Sequence, residues 1–212
     1  YQPAFGLADA VAAATGSGES CRQLREQLAR SFGVRHVFLF RSARNALFAV
    51  LRALASTGSI VVPAYNCIAV PEAVGWAGWR PVLADVAPAD VNMSRETLLQ
   101  SLSKDVHAVL LTHQFGIPSD VDGIMAVCRE HGLIVIEDAA AALGAKYGER
   151  FAGTFGDAAV ISFHLTKVAT AGRGGALLTN DDKIAGQVAS MQVQRGDVTA
   201  SVVDFARALT WC

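Results

Sequence analysis

Apolar and polar positions along this chain keep switching between two periods, and the switches predict a regular succession of strands and helices. Residues 36–40 (His36, Val37, Phe38, Leu39, Phe40) read as the first strand. Residues 59–63, 81–86, 106–112 and 133–137 are further short apolar runs, as a sheet covered on both faces requires. Helices are predicted over 42–51 and over roughly 119–131, where Val121, Ile124, Met125 and Cys128 share a face and Gly132 supplies a stop. Ahead of the first strand, Leu24, Leu28 and Phe32 line one side of a helix that Ser20 can cap. Ser94, with Glu96 and Thr97 in the first turn, marks another helix start, and residues 179–182 open a last helix running to about Met191. Residues 142–156 predict short strands or a hairpin around Gly148. Residues 158–176 read as a buried strand, a polar tip, and a glycine-rich turn into a second strand.

Strand and helix alternate without a self-similar period, which predicts a doubly wound α/β domain. Its sheet should be mostly parallel, with some antiparallel character near 143–178 and the site at the strands' carboxyl ends. Residues 1–17, rich in Ala and Gly and ending at Thr15 and Gly16, predict a loop. Gly16 and Gly18 lack both a preceding strand and a following Gly-Lys-Ser/Thr, so no phosphate loop is read there.

Composition narrows the function classes. At 212 residues the chain can hold one large domain or two small ones, and its 52% apolar content suits a sheet buried on both sides. A formal charge of −1 gives no electrostatic case for nucleic acid or an anionic membrane. Cys21, Cys67, Cys128 and Cys212 are scattered without CxxC spacing, so no metal centre is expected, and free thiols suit a cytoplasmic protein. The apolar stretch at 46–55 is broken by Arg52 and is too short to cross a bilayer. Tyr1 opens the chain without a charged, apolar leader, so no signal peptide is expected and the chain reads as part of a longer product. Arg195, Gly196 and Asp197 form a tripeptide known from adhesion, short enough to recur by chance.

The candidate chemistry lies at two strand ends. Lys167 stands at the polar tip where the 158–162 run gives out; a desolvated amine there is a nucleophile that condenses with aldehydes. Ile134, Val135 and Ile136 lead into the carboxylates Glu137 and Asp138. A lysine able to form a Schiff base and a carboxylate at a strand mouth are what pyridoxal 5'-phosphate (PLP) needs: one holds the aldehyde, the other keeps the pyridine nitrogen protonated. The plain alternatives stay open at this point, Lys167 as a solvated loop residue and Asp138 as a helix cap. Residues 40–44 are a strand, a small-residue turn and a helix start, an arrangement that binds anions.

Three ordered motifs carry a resemblance: Glu137-Asp138-Ala139-Ala140, Ser162-Phe163-His164-Leu165-Thr166-Lys167 and Gly174-Gly175-Ala176. Together they resemble the PLP-dependent sugar aminotransferases of the DegT/DnrJ/StrS type, with the aspartate-aminotransferase-like fold, in register from about Arg22 onward. The resemblance implies that Lys167 carries the cofactor, Asp138 pairs with its ring nitrogen and Ser162 binds its phosphate. The family's Ser-Gly-Thr phosphate cradle falls on Ser42, Ala43 and Arg44; Arg44 either supplies a charge-assisted hydrogen bond to phosphate or is a solvated first-turn residue. The family's ring-stacking aromatic falls on Cys67, with Tyr65 close by in sequence. Its glutamine that contacts the ring oxygen falls on Ala141. Arg173 and Val168 are further departures, where the family has Glu and Asn. His113, also matched, reads as structural.

The resemblance implies residues 1–34 as an N-terminal helical segment and 35–212 as a PLP-binding large domain, with the family's smaller C-terminal domain beyond. It also implies a homodimer with the site at the subunit interface. The expected function is transfer of an amino group from an amino-acid donor to a keto-sugar, nucleotide-linked, for polysaccharide building blocks. The alternatives are another PLP-dependent sugar reaction such as dehydration, or a degenerate relative that binds without catalysis.

Overall fold

A computed structural model describes residues 18–54, 57–88 and 90–195. The predicted loop over 1–17, the end of the tripeptide at Gly196 and Asp197, and Cys212 lie outside the described residues. Six α-helices and nine strands follow in order among the described residues. They are α1 (Gly18–Phe32), β1 (His36–Phe40), α2 (Ala43–Ala53), β2 (Ser59–Pro63), α3 (Ala69–Trp76), β3 (Arg80–Ala84), α4 (Arg95–Ser101) and β4 (Val106–Thr112). Then come α5 (Val121–His131), β5 (Ile134–Asp138), β6 (Lys146–Tyr147), β7 (Arg150–Phe151), β8 (Ala158–Ser162), β9 (Gly175–Thr179) and α6 (Asp182–Arg195).

Seven strands form one sheet in the order β1-β9-β8-β5-β4-β2-β3. β3, β2, β4, β5 and β8 pair in parallel, while β9 runs antiparallel to both β8 and β1. The fold is therefore the expected α/β sheet, mostly parallel, with a single reversed strand. The expected hairpin at Gly148 exists, but β6 and β7 form a separate two-stranded sheet. The antiparallel character of the main sheet comes from β9 alone, because the chain leaves β8 at Ser162, loops over residues 163–174 and returns beside it, with Ser162 opposite Gly175.

Alternation along the strands deals side chains to two faces. Ile60, Val62, Ala108, Leu110, Ile136, Val160 and Leu177 face α2, α3 and α6 in one apolar cluster. Val61, Val109, Leu111 and Val135 face Leu98 of α4 and Ile124, Val127 and Cys128 of α5. Ala159, Ile161, Ala176 and Leu178 face α1 through Leu24, Leu28 and Phe32. The central strands are continuous apolar runs because both faces are dry. Burial also pushes the Cys128 thiol up to about 12, which leaves it inert as a nucleophile.

Local chemistry sets the helix ends. Ser94 and Thr97 exchange side-chain and backbone bonds in a capping box, and Gly132 takes the left-handed conformation after α5 (φ 63°). Asp181 caps α6 by accepting from the N–H groups of Lys183 and Ile184. The expectation for Ser20 is corrected: α1 already includes Gly18 and Glu19, so Ser20 lies inside the first turn, and Glu19 pairs with Arg22 instead. Among the described residues no helix is long and apolar enough to cross a membrane.

Leu110 is fully buried at the sheet centre, so Leu110→Ala is expected to cost about 2–5 kcal/mol in urea denaturation. Leu83, 63% exposed on the edge strand β3, should tolerate alanine within about 0.5 kcal/mol.

Candidate active site

Strand register brings the predicted residues to one edge of the sheet. Thr112 of β4 lies opposite Asp138 of β5, Asp138 opposite Val160 of β8, and Ser162 and Phe40 both opposite Gly175. Alternation also decides which face each side chain takes. Asp138 is two residues past Ile136 and Ser162 two past Val160, so both share the face of α2; Glu137 takes the opposite face.

Asp138 is buried at 8% exposure, and its Oδ1 accepts the Ala140 N–H at 3.0 Å. Burial pushes its carboxyl pKa up, while the Ala140 N–H and the Lys167 ammonium pull the other way. Asp138 at the end of β5 therefore lies within electrostatic reach of Lys167 on the loop that follows β8. Ser162 is buried, and its Oγ accepts the His164 N–H at 3.3 Å.

Lys167 sits on a loop between β8 and β9 that is tied at its base. Phe163 N–H donates to Gly174 O, while Ala171 N–H and Thr170 Oγ1 both donate to Phe163 O. A turn from His164 O to Lys167 N–H, 2.9 Å, then presents the half-buried lysine.

The start of α2 closes against the same loop. Ser42 caps the helix by accepting the Asn45 N–H at 3.2 Å, and it bridges to Gly174. Gly175 is required there: a Cβ would collide with Ala43 N and Ser42 C. The first-turn N–H groups, Ala43 and Arg44 among them, have no partner inside the helix. The Arg44 side chain is engaged with α3, pairing with Glu72 at 3.1 Å with its guanidinium carbon 5.7 Å from the Trp76 ring centroid.

The remaining candidates lie on neighbouring loops. Cys67 is exposed, and its N–H donates to Asn66 Oδ1; Asn66 in turn bonds Thr112 Oγ1 at 3.2 Å. Tyr65 is exposed, with its ring 6.1 Å from that of Phe115 and its carbonyl bonded by Gln114 Nε2. Phe115 alone among the described non-glycine residues has positive φ (54°). Ala141 is half-buried in the turn after Asp138. A cavity of about 560 Å³ lies elsewhere, at the amino ends of β2, β3 and β4, lined by Gly58, Arg80, Asp105 and His107.

Two features lie beyond what sequence reading assigned. In the sequence Glu137 is only one of two consecutive carboxylates, yet it is fully buried and hydrogen-bonded; strict strand alternation is the signal that separates it from Asp138. The Tyr65–Phe115 contact joins loops distant in sequence, and nothing in a single sequence announces it.

The fold and this edge define the large domain of an aspartate-aminotransferase-like protein. An aminotransferase from Psychrobacter cryohalolentis matches with TM-score 0.83 and 28% identity over 95% of this chain and 56% of its own. The chain belongs to the DegT/DnrJ/EryC1/StrS aminotransferase family, whose pattern matches residues 8–201, and the family's enzymes are PLP-dependent sugar aminotransferases. It is 36% identical over 166 residues to a GDP-perosamine synthase of Caulobacter vibrioides, covering 77% of this chain and 44% of that protein. It is 35% identical over 170 residues to a UDP-N-acetyl-3-dehydro-alpha-D-glucosamine 3-aminotransferase of Acidithiobacillus ferrooxidans, covering 79% and 46%. The chain thus spans a little under half the length of these curated relatives.

The raised pKa of Asp138 makes a pH prediction. Its ionised form costs the fold stability at neutral pH, and that cost fades toward about pH 3.9, where the unfolded chain is protonated too. Asp138→Asn should therefore resist urea better than the unchanged protein at pH 7 when no ligand is added to either. The two should converge as the pH falls to about 4.

Proposed function

We propose that this protein is a PLP-dependent aminotransferase that moves an amino group from an amino-acid donor to a nucleotide-linked keto-sugar. The observation that carries the reading is the convergence at one sheet edge of a buried Asp138, Ser162 on the same face, the start of α2 and the loop that bears Lys167. The donor set fits the cofactor. A carboxylate pushed toward neutrality by burial regains its charge when a cation faces it, and a protonated pyridine nitrogen is such a cation.

Bound PLP supplies an electron sink for bond-breaking at the carbon that bears the amine. Lys167 Nζ would hold the aldehyde and, once displaced by the substrate amine, act as the base that takes the proton from the substrate carbon. Asp138 would keep the ring nitrogen protonated. Ser162 Oγ and the first-turn N–H groups of Ala43 and Arg44 would receive the phosphate. Cys67 and Ala141 offer neither a ring nor an amide; Tyr65 and Phe115 give this edge an aromatic surface instead.

The substrate class rests on the relatives, whose names carry GDP- and UDP-linked sugars. A second copy of the chain fits the exposed apolar side chains at this edge: Tyr65, Ile68, Phe115, Ile117 and Val168. A cytoplasmic home suits the unbridged Cys21, Cys67 and Cys128.

Titration with PLP should raise a visible absorbance band that borohydride fixes on Lys167, as peptide mapping would show. Lys167→Ala should lose the covalent attachment and at least about a hundredfold in amination rate. Attachment at another lysine, or no band from folded protein, would overturn the lysine assignment. Water loss from a keto-sugar without amination would overturn the reaction assignment.

A further inference from the structure

Two fully buried titratable side chains, His113 and Glu137, have no part in the chemistry above. They lie on the face of the sheet opposite Asp138, and the hydrogen bonds around them are complete. Glu137 Oε2 accepts the Gly153 N–H at 2.7 Å, and Oε1 accepts the N–H groups of Phe155 and, at 2.8 Å, Gly156. His113 Nε2 lies 3.1 Å from Oε2. His113 Nδ1 accepts the Ser119 N–H at 3.2 Å, which places the ring proton on Nε2, pointing at Glu137. The carboxylate is thereby approached by four donors from two separate segments.

These segments flank the reacting pair. His113 follows β4, and its own N–H donates to Asp138 O at 3.1 Å. Gly153, Phe155 and Gly156 belong to the connection that enters β8, the strand leading to Ser162 and Lys167. β5 and β8 themselves share only the register pairs from Ile136↔Ala158 to Asp138↔Val160. Close by, Asp157 exchanges N–H and carboxylate bonds with Val135, and Gly156 packs on Val135 O with no room for a Cβ. The offset between Asp138 and Lys167 therefore depends on how the 153–157 connection is pinned to β5.

We propose that Glu137, oriented by His113, is a positioning residue that fixes the distance between Asp138 and Lys167 and so the fit of the cofactor between them. The proposal rests on the PLP reading above. The carboxylate touches neither substrate nor cofactor; it acts through the strand end it shares with Asp138. Glutamine has the same shape as glutamate but keeps a single acceptor oxygen and turns an amide nitrogen toward backbone N–H groups. Glu137→Gln should therefore release part of the 153–156 connection while leaving both reacting side chains in place.

The test is a double-mutant cycle on PLP affinity, read by absorbance titration of the purified protein, with amide hydrogen exchange at 153–156 read alongside. Glu137→Gln should weaken PLP binding about tenfold when Asp138 is present and less than about twofold in the Asp138→Asn background, with faster exchange at 153–156. Glu137→Asp should recover part of the affinity. Equal losses in both backgrounds, or unchanged affinity despite faster exchange, would overturn the proposal and leave Glu137 a structural group only. If Glu137→Gln does not fold, the same cycle is run with His113→Phe, which removes one of the four donors and keeps the backbone ones, and the same outcomes decide. PLP fixed on Lys167 together with an additive cycle defeats this inference alone; an unchanged protein that takes no PLP defeats the function and this inference together.

Discussion

β5 ends in two consecutive carboxylates, and a strand sends consecutive side chains to opposite faces. That constraint organises the rest of the site. One carboxylate, Asp138, is delivered to the α2 face that Ser162 shares. The other, Glu137, is delivered to the α5 face, where it collects backbone N–H groups and a histidine. A buried carboxylate without such donors would be prohibitive, and one with all of them becomes a rigid node. The two acids differ in kind for this reason. Asp138 is under-supplied with donors and is held away from ionisation by burial, whereas Glu137 is fully supplied.

The sheet converts this local rule into a site because six of its seven strands run in one direction. Their carboxyl ends, with the start of β9, converge on one edge, where helix starts and loop N–H groups are exposed to a ligand. Apolar packing on both faces makes that edge stiff. α2, α3 and α6 cover one side, and α1, α4 and α5 cover the other. The polar groups then sit at the rim of a close-packed body rather than on a pliable surface.

Much of this was legible in the sequence. Apolar runs with two-residue and helical periods mark most of the strands and helices, and Gly132 and Ser94 mark ends that the structure keeps. The positions of Asp138 and Ser162 at strand ends, and of Lys167 in the polar tip beyond the second, were also readable, because a dry strand announces where it stops. Features that depend on a distant partner were not. The antiparallel character near 143–178 was expected, but the pairing of β9 with β1, whose residues lie far away in sequence, was not. The Arg44 side chain is turned toward α3 by Glu72 and Trp76, which no local pattern around Arg44 reveals. Ser20 had the chemistry of a cap but lacked the place, because α1 starts ahead of it.

The reversed strand also changes what kind of object the lysine loop is. Both of its ends are fastened in neighbouring strands of the same sheet, and its base is cross-linked through Phe163 and Gly174. The entropy of closing it is settled when the domain folds, not when a ligand arrives. The lysine amine is therefore tethered by its own side chain rather than by a mobile segment. A molecule already held at this edge would meet the amine at an effective concentration set by the few rotatable bonds of the side chain.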